Sequence, residues 1–328
     1  CTLVKVGFIG AGGITKAHIS CMKQGVPDAQ IVGVSDIDPK RAAEVAQQFG
    51  IKSFPNNAAL LESGINAVFV CTYPRAHKEC VVQAIEAGKH VFCEKPLAPT
   101  YKAGLEIAQA VEHSDRQFMI GYLFHFSRSA GRIKSLLDGG DLGELAIAWS
   151  QRFGYFRPLA GTWHADPVGG GILDLCTHDI EFLSWLGGRP LAVTATGVTA
   201  HSGLECTDTV SITMKFRQGI GTVLSSWASP LALMNIGAAG TKGTVVLRQD
   251  GSLRVKIEGN EESCEPGEGP EAPMIGEQRH FIQTLQNGGT VSPGIREALL
   301  ALEIQDAAEK SWNTGRSVSL RSSRKKAR

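Results

Sequence analysis

The chain has no apolar run long enough to cross a bilayer, so the sequence predicts no membrane span. It has no excess of charge of either sign. Its 33 lysines and arginines balance 32 acidic residues, and a net charge of +1 gives no electrostatic pull towards nucleic acid. The eight cysteines are scattered and no Cys-x-x-Cys pair occurs, so neither a zinc site nor a disulfide framework is expected. They read as small hydrophobes of a reducing, cytoplasmic compartment. No stretch near the start reads as a signal peptide, and no internal repeat is present. The basic stretch Arg321 to Arg328 reads as a solvated tail. What remains is a soluble globular chain of 328 residues, 43% hydrophobic, which is long enough for two domains.

The first domain, expected over residues 1–123, shows alternating strand and helix patterns of a doubly wound α/β unit with a parallel sheet. A strand over 4–10 runs into Gly10-Ala11-Gly12-Gly13-Ile14, and a helix follows. Glycine at 10 permits a tight turn, and glycine at 12 lets backbone approach a pyrophosphate at the positive end of that helix. The third glycine of the usual fingerprint is replaced by Thr15, which is expected to loosen the helix–strand contact. Asp36 follows the second strand, 26 residues after Gly10, where an acid can accept hydrogen bonds from ribose hydroxyls. A carboxylate there would repel a 2′-phosphate, which favours NAD over NADP. Asp38 before Pro39 reads as a helix N-cap. Thr72, Pro74 and His77 fall on a sheet-edge loop able to line a cofactor cleft, although His77 also reads simply as a helix-start residue.

The stretch Val91-Phe92-Cys93-Glu94-Lys95-Pro96 reads as a buried strand whose end carries charge. In open α/β sheets that edge is where ligands bind, so Glu94 and Lys95 join the expected cofactor-binding set. A lysine there can also carry chemistry, because its surroundings readily shift its pKa.

Beyond residue 123 the pattern changes. Strands expected over 145–153, 191–197, 209–216, 220–227 and 243–249 indicate a mostly antiparallel sheet in a second domain, 124–328. Two further helices are expected over 276–286 and 294–312. One other element interrupts the strands. Gly169-Gly170-Gly171 leads into a helical run in which Asp174 and His178, four residues apart, share a face. The pair is either a helix-surface ion pair or a catalytic couple. Oxidation of an alcohol by nicotinamide needs a general base and a donor that steadies the developing alkoxide. His178 suits the first role at neutral pH, with Asp174 supporting it, and Lys95 suits the second. Tyr155, Arg157, Trp163 and His164 precede the glycines and are candidate contacts to a polyhydroxylated ring, though Trp163 reads equally as core.

In this order, Gly10-Ala11-Gly12-Gly13, Glu94-Lys95-Pro96 and Gly-Gly-Gly-x-x-Asp-x-x-x-His (169–178) resemble the Gfo/Idh/MocA oxidoreductases. The likeness continues in His280-Phe281-Ile282 and Ala307-Ala308-Glu309-Lys310-Ser311 with Gly315. The resemblance implies an N-terminal Rossmann domain and a C-terminal α/β domain with a large open sheet. It implies NAD(H) or NADP(H), a sugar or cyclitol substrate, and a homodimer or homotetramer formed through that sheet. Lys95 matches the lysine of the family's Glu-Lys-Pro motif, and relatives often have a cis bond before its proline. Asp174 and His178 match the catalytic pair of the inositol dehydrogenase branch. His125 stands where many relatives carry arginine, which leaves substrate contacts there open. Histidine at 178, where dihydrodiol-oxidising relatives tend to have tyrosine, argues for a polyol or sugar. Two alternatives remain: a redox-neutral, NAD-recycling glycosidase or lyase, and a non-catalytic dinucleotide-binding regulator.

Overall fold

The computed structural model describes residues 3–156, 162–166, 168, 170–201, 204–267, 269 and 271–320. Arg157, Gly169 and the basic stretch 321–328 lie outside them, as does the side chain of Trp163. Two compact units form: Cys1–Phe126 with Pro270–Leu299, and Ser127–Gly269 with Leu300–Arg328.

In the first unit, β1 (Val4–Ile9), α1 (Gly13–Gly25), β2 (Ala29–Ser35), α2 (Pro39–Phe49), β3 (Lys52–Phe54) and α3 (Asn57–Leu61) make the first half. The second half comprises β4 (Ala67–Val70), α4 (Pro74–Glu86), β5 (His90–Cys93), α5 (Tyr101–Glu112) and β6 (Phe118–Ile120). The strands pair in the order β3-β2-β1-β4-β5-β6, and every pairing is parallel. This order reverses at β1/β4, so the crevice for a dinucleotide opens at the carboxyl ends of those two strands. Strands β4 and β5 are buried almost throughout, as their continuous apolar runs require.

The structure departs from the expected boundary at 123/124 in two places: residues 124–126 stay with the first unit, and residues 271–299, expected in the second domain, pack into it. The physical cause is the apolar face of a later helix (Pro273–Asn287), which places Ile275, Phe281 and Ile282 in the first core. Phe281 meets the stacked pair Phe69–Phe92 edge-on, at 5.7 and 5.8 Å between centroids.

The second unit begins with α6 (Arg128–Asp138), β7 (Leu145–Tyr155) and α7 (Ile172–Gly187). Then come β8 (Ala192–Val198), β9 (Thr209–Lys215), β10 (Ile220–Ser226), β11 (Ala228–Gly240), β12 (Gly243–Leu247), β13 (Leu253–Ile257) and β14 (Ser263–Glu265). The chain continues through the helix packed in the first unit, α8 (Pro273–Asn287), then α9 (Ile295–Thr314) and the short β15 (Val318–Ser319). Nine strands join in the order β14-β13-β12-β11-β7-β10-β9-β8-β15, antiparallel except for the β7–β10 pair. Helix α7 lies against β7 and β10. On β10, Gly221, Val223 and Ser225 are buried, whereas Ile220 and Leu224 alternate to the opposite, exposed side. Among the described residues no helix is long and apolar enough to cross a membrane.

Candidate active site

In the first unit, β1 delivers the chain to Gly10, whose φ of +98° suits glycine; a Cβ there would stand 2.6 Å from the Cys71 carbonyl oxygen. Gly12 and Gly13 face open space, and the start of α1 carries no side-chain cap. Its first N–H groups are therefore left for an anion. Thr15 does not loosen the helix–strand contact as expected. It is fully buried, and its hydroxyl donates to the Gly10 carbonyl at 2.7 Å.

Asp36 sits at the end of β2 with both oxygens facing the turn region. Ala11 N–H donates to Oδ2 at 2.6 Å and Asp38 N–H to Oδ1 at 2.8 Å. The carboxylate thus holds the glycine turn against the β2 exit and retains lone pairs for ribose hydroxyls. Asp38 caps α2, accepting from Lys40 N–H. Ile37, between them, is 96% exposed, an apolar side chain where an arginine would be needed to hold a 2′-phosphate. The open glycine cradle, the uncapped α1 terminus and the placed acid together fit a dinucleotide.

Thr72 and Pro74 stand at the β4 edge, with Pro74 opening α4. His77, expected among the cofactor contacts, has a different role. Its ring is fully buried, with Nδ1 at 3.0 Å from the Pro96 carbonyl and Nε2 at 3.0 Å from the Thr72 carbonyl. Burial lowers its pKa although the surrounding carbonyls favour the proton. It braces the β4 and β5 exit loops against each other, and it has no surface left for a ligand.

Glu94 is likewise almost enclosed, accepting from the His18 ring at 2.6 Å and from Lys95 N–H at 3.1 Å. Burial pushes its carboxyl up, but the His18 hydrogen bond and the nearby positive charge outweigh that and hold it below the usual range. Lys95 follows, partly exposed at the sheet edge, and the Lys95–Pro96 bond is cis.

In the second unit the glycine lead-in has a steric basis at Gly171. Its φ is +69°, and a Cβ would lie 2.7 Å from the Thr207 carbonyl oxygen. Gly171 N–H donates to the His164 carbonyl and Ile172 N–H to the Thr207 carbonyl, both at 2.8 Å. These bonds fix where α7 starts, and so where Asp174 and His178 sit on its first turns. Asp174 is 9% exposed and His178 more open. The next residue, Asp179, is fully buried; Ser150 Oγ donates to it at 2.6 Å, and Arg152 Nη1 lies 3.4 Å away.

A cavity of about 480 Å³ opens beside this helix, a size usual for small-molecule sites. Tyr155, His164 and Asp174, three residues expected from sequence, line it together. So do Arg152, Phe156, Trp227, Met234 and Gln249, which the sequence reading missed. Phe156 packs edge-on against Trp227 at 4.9 Å and against His164 at 5.4 Å. The aromatic triplet Tyr155, Phe156 and Trp227 offers flat apolar faces beside a carboxylate and a guanidinium. That combination suits a ring bearing several hydroxyls. Among the described residues no cluster of His, Cys, Asp and Glu could hold a metal ion.

Residues 4–122 match the family model described as an oxidoreductase family with an NAD-binding Rossmann fold, and residues 131–246 match the GFO/IDH/MocA C-terminal domain. The chain is 25% identical to the inositol 2-dehydrogenase of Rhizobium meliloti (strain 1021), covering 97% of this chain and 99% of that protein. It is 36% identical to inositol 2-dehydrogenase 3 of Saccharopolyspora erythraea over 56% of this chain; that alignment spans about half, 53%, of the relative's length. The fold is that of a levoglucosan dehydrogenase solved with NADH and L-sorbose, with a TM-score of 0.88 and 24% identity, covering 98% of this chain and all of that one.

Proposed function

The chain belongs to the Gfo/Idh/MocA oxidoreductases with an NAD-binding Rossmann domain, and on that premise we propose that it is a dehydrogenase or reductase of a secondary hydroxyl (or ketone) in a sugar or cyclitol. The observation that carries this reading is the cavity beside α7, where the buried Asp174 carboxylate, the His164 imidazole and aromatic faces stand together. The names of the relatives, inositol 2-dehydrogenase and levoglucosan dehydrogenase, point to the same substrate class.

A dinucleotide bound at the glycine turn would supply its nicotinamide as the hydride acceptor. Gly12, Gly13 and the α1 amides hold its pyrophosphate, and Asp36 takes the ribose hydroxyls, which favours NAD over NADP. Lys95 donates to the reacting oxygen and steadies the charge that develops on it. His178 takes the hydroxyl proton, and Asp174, one turn earlier, orients or polarises that imidazole. Tyr155, Phe156 and Trp227 stack on the apolar faces of the ring, while Arg152 and His164 hydrogen-bond its hydroxyls. The same reading places the chain in a reducing cytoplasm, and it pairs copies through the exposed side of the nine-stranded sheet that carries Ile220 and Leu224.

A panel of free sugars and inositols with NAD, followed at the NADH absorbance, tests the substrate class. Net NADH formation is expected with at least one of them; none with any member would defeat the reading, and turnover without net NADH would favour a redox-neutral enzyme. Lys95→Ala and His178→Ala should each lower kcat by about 10² to 10⁴ while NADH binding persists. Near-wild-type turnover in both would remove these residues from the chemistry.

A further inference from the structure

A histidine with no exposure at all sits inside the cofactor-binding unit, and cofactor binding gives it no role. His18, on α1, lies against Phe69 and Phe92, at 5.6 and 5.4 Å between ring centroids. A polar ring enclosed in this way needs partners for both nitrogens, and it has them. Gln278 Nε2 lies 2.7 Å from His18 Nδ1 and 3.1 Å from the His18 carbonyl oxygen. An NH₂ group aimed at two acceptors donates to both, so Nδ1 accepts. The ring proton is then on Nε2, which donates to Glu94 Oε1 at 2.6 Å. The other carboxylate oxygen of Glu94 accepts the backbone N–H of Lys95 at 3.1 Å.

The donors in the first two links run one way, from amide to imidazole to carboxylate, and the carboxylate ends on the peptide of the lysine. Three elements far apart in sequence supply the members: α1, the end of β5, and α8. Beside Gln278, Glu277 is buried too, and burial with the nearby Glu94 charge raises its pKa well above the ordinary value. Glu94, clamped by His18 and Lys95, is therefore the carboxylate of this region that stays ionised.

We propose that Gln278, His18 and Glu94 form a positioning chain that fixes the direction of the Lys95 side chain, so that α8 governs the geometry of the reaction without touching the substrate. The proposal rests on the reading of Lys95 as the group that steadies the reacting oxygen. Reaction rates are steep in position, and a displacement of about 1 Å caused by a remote change can cost about 10²-fold. A carboxylate holding the lysine peptide from inside the core removes that freedom. Glu94 thus acts on the lysine and not on the cofactor.

His18→Phe and Gln278→Leu cut the chain at its middle and at its far end. Steady-state kinetics are measured per NADH-binding site, counted by fluorescence titration, so that an unfolded fraction does not enter. Each variant should lose about tenfold to a hundredfold in kcat, with substrate KM and NADH affinity within about twofold of wild type. The double variant should lose no more than the worse single one, because both break one chain. Unchanged kcat per site in Gln278→Leu, or losses that simply multiply, would overturn the proposal even where His18→Phe fails to fold. Lys95→Ala separates the two levels. If it too leaves kcat unchanged, the lysine reading fails; if it abolishes turnover while Gln278→Leu does not, only the positioning chain fails.

Discussion

At the scale of single residues, the legible side chains were those whose type and chain position already specify a job. Asp36 after the second strand, Asp38 before a proline and Gly10 at the turn all stand where the sequence pattern puts them. His77 was misplaced because a histidine at a helix start says nothing about the carbonyls that will surround it. His18 and Gln278 were invisible because their meeting joins positions 260 residues apart. Glu277 is another such residue, and its pH behaviour follows from its burial. The unfolded chain titrates it near 4.5, whereas the folded chain holds the proton to a higher pH. Below 4.5 both states carry the proton. Above it only the folded state does, so the site's contribution to stability is lost as pH rises through the folded pKa. Glu277→Gln should therefore change Tm little at pH 4 and raise it increasingly towards pH 8. Thermal melts across that range test this, and a gain that shrinks with pH would contradict it.

Among elements, the parallel strands other than β3 and the helices between them other than α3 were readable from hydrophobic runs and caps, and α7 from its periodicity. Strand β11 was not. Its sequence, Ala-Ser-Pro-Leu-Ala-Leu-Met-Asn-Ile-Gly-Ala-Ala-Gly, is rich in alanine and glycine and carries a proline, which speaks against a strand locally. Pairing with β7 on one side and β12 on the other makes it one all the same. Close packing also explains a small residue within it: a Cβ on Gly237 would lie 2.5 Å from the Trp149 ring. The lead-in to α7 shows the opposite case, in which a glycine run in the sequence marks a true backbone need. Gly171→Ala should destabilise the protein by about 1–3 kcal/mol through its left-handed backbone and the Thr207 contact. It should also lower turnover in the surviving folded protein, because it shifts the turn that carries Asp174. Denaturant titration with matched kinetics checks both; a neutral change in each would refute the steric reading.

For the whole molecule, the order of the motifs is legible in the sequence, but the return of the chain to the first unit is not. No local signal marks α8 as belonging to the first core, since its apolar face reads the same whichever core receives it. The nine-stranded sheet raises the question of what covers its outer side. Leu224→Asp on that side should leave the fold intact, because the residue is 37% exposed, and should shift a multimer towards monomer in light scattering. An unchanged molar mass would place any contact elsewhere.

The late arrival of α8 has a consequence for biosynthesis. As the polypeptide leaves the ribosome, the six-stranded sheet is complete by residue 120, yet the side of Phe69, Phe92 and His18 that α8 covers stays open until residues 275–282 emerge. The nucleotide-binding half must therefore wait, partly bare, while an entire second sheet is translated, and its last wall is laid only after that interval.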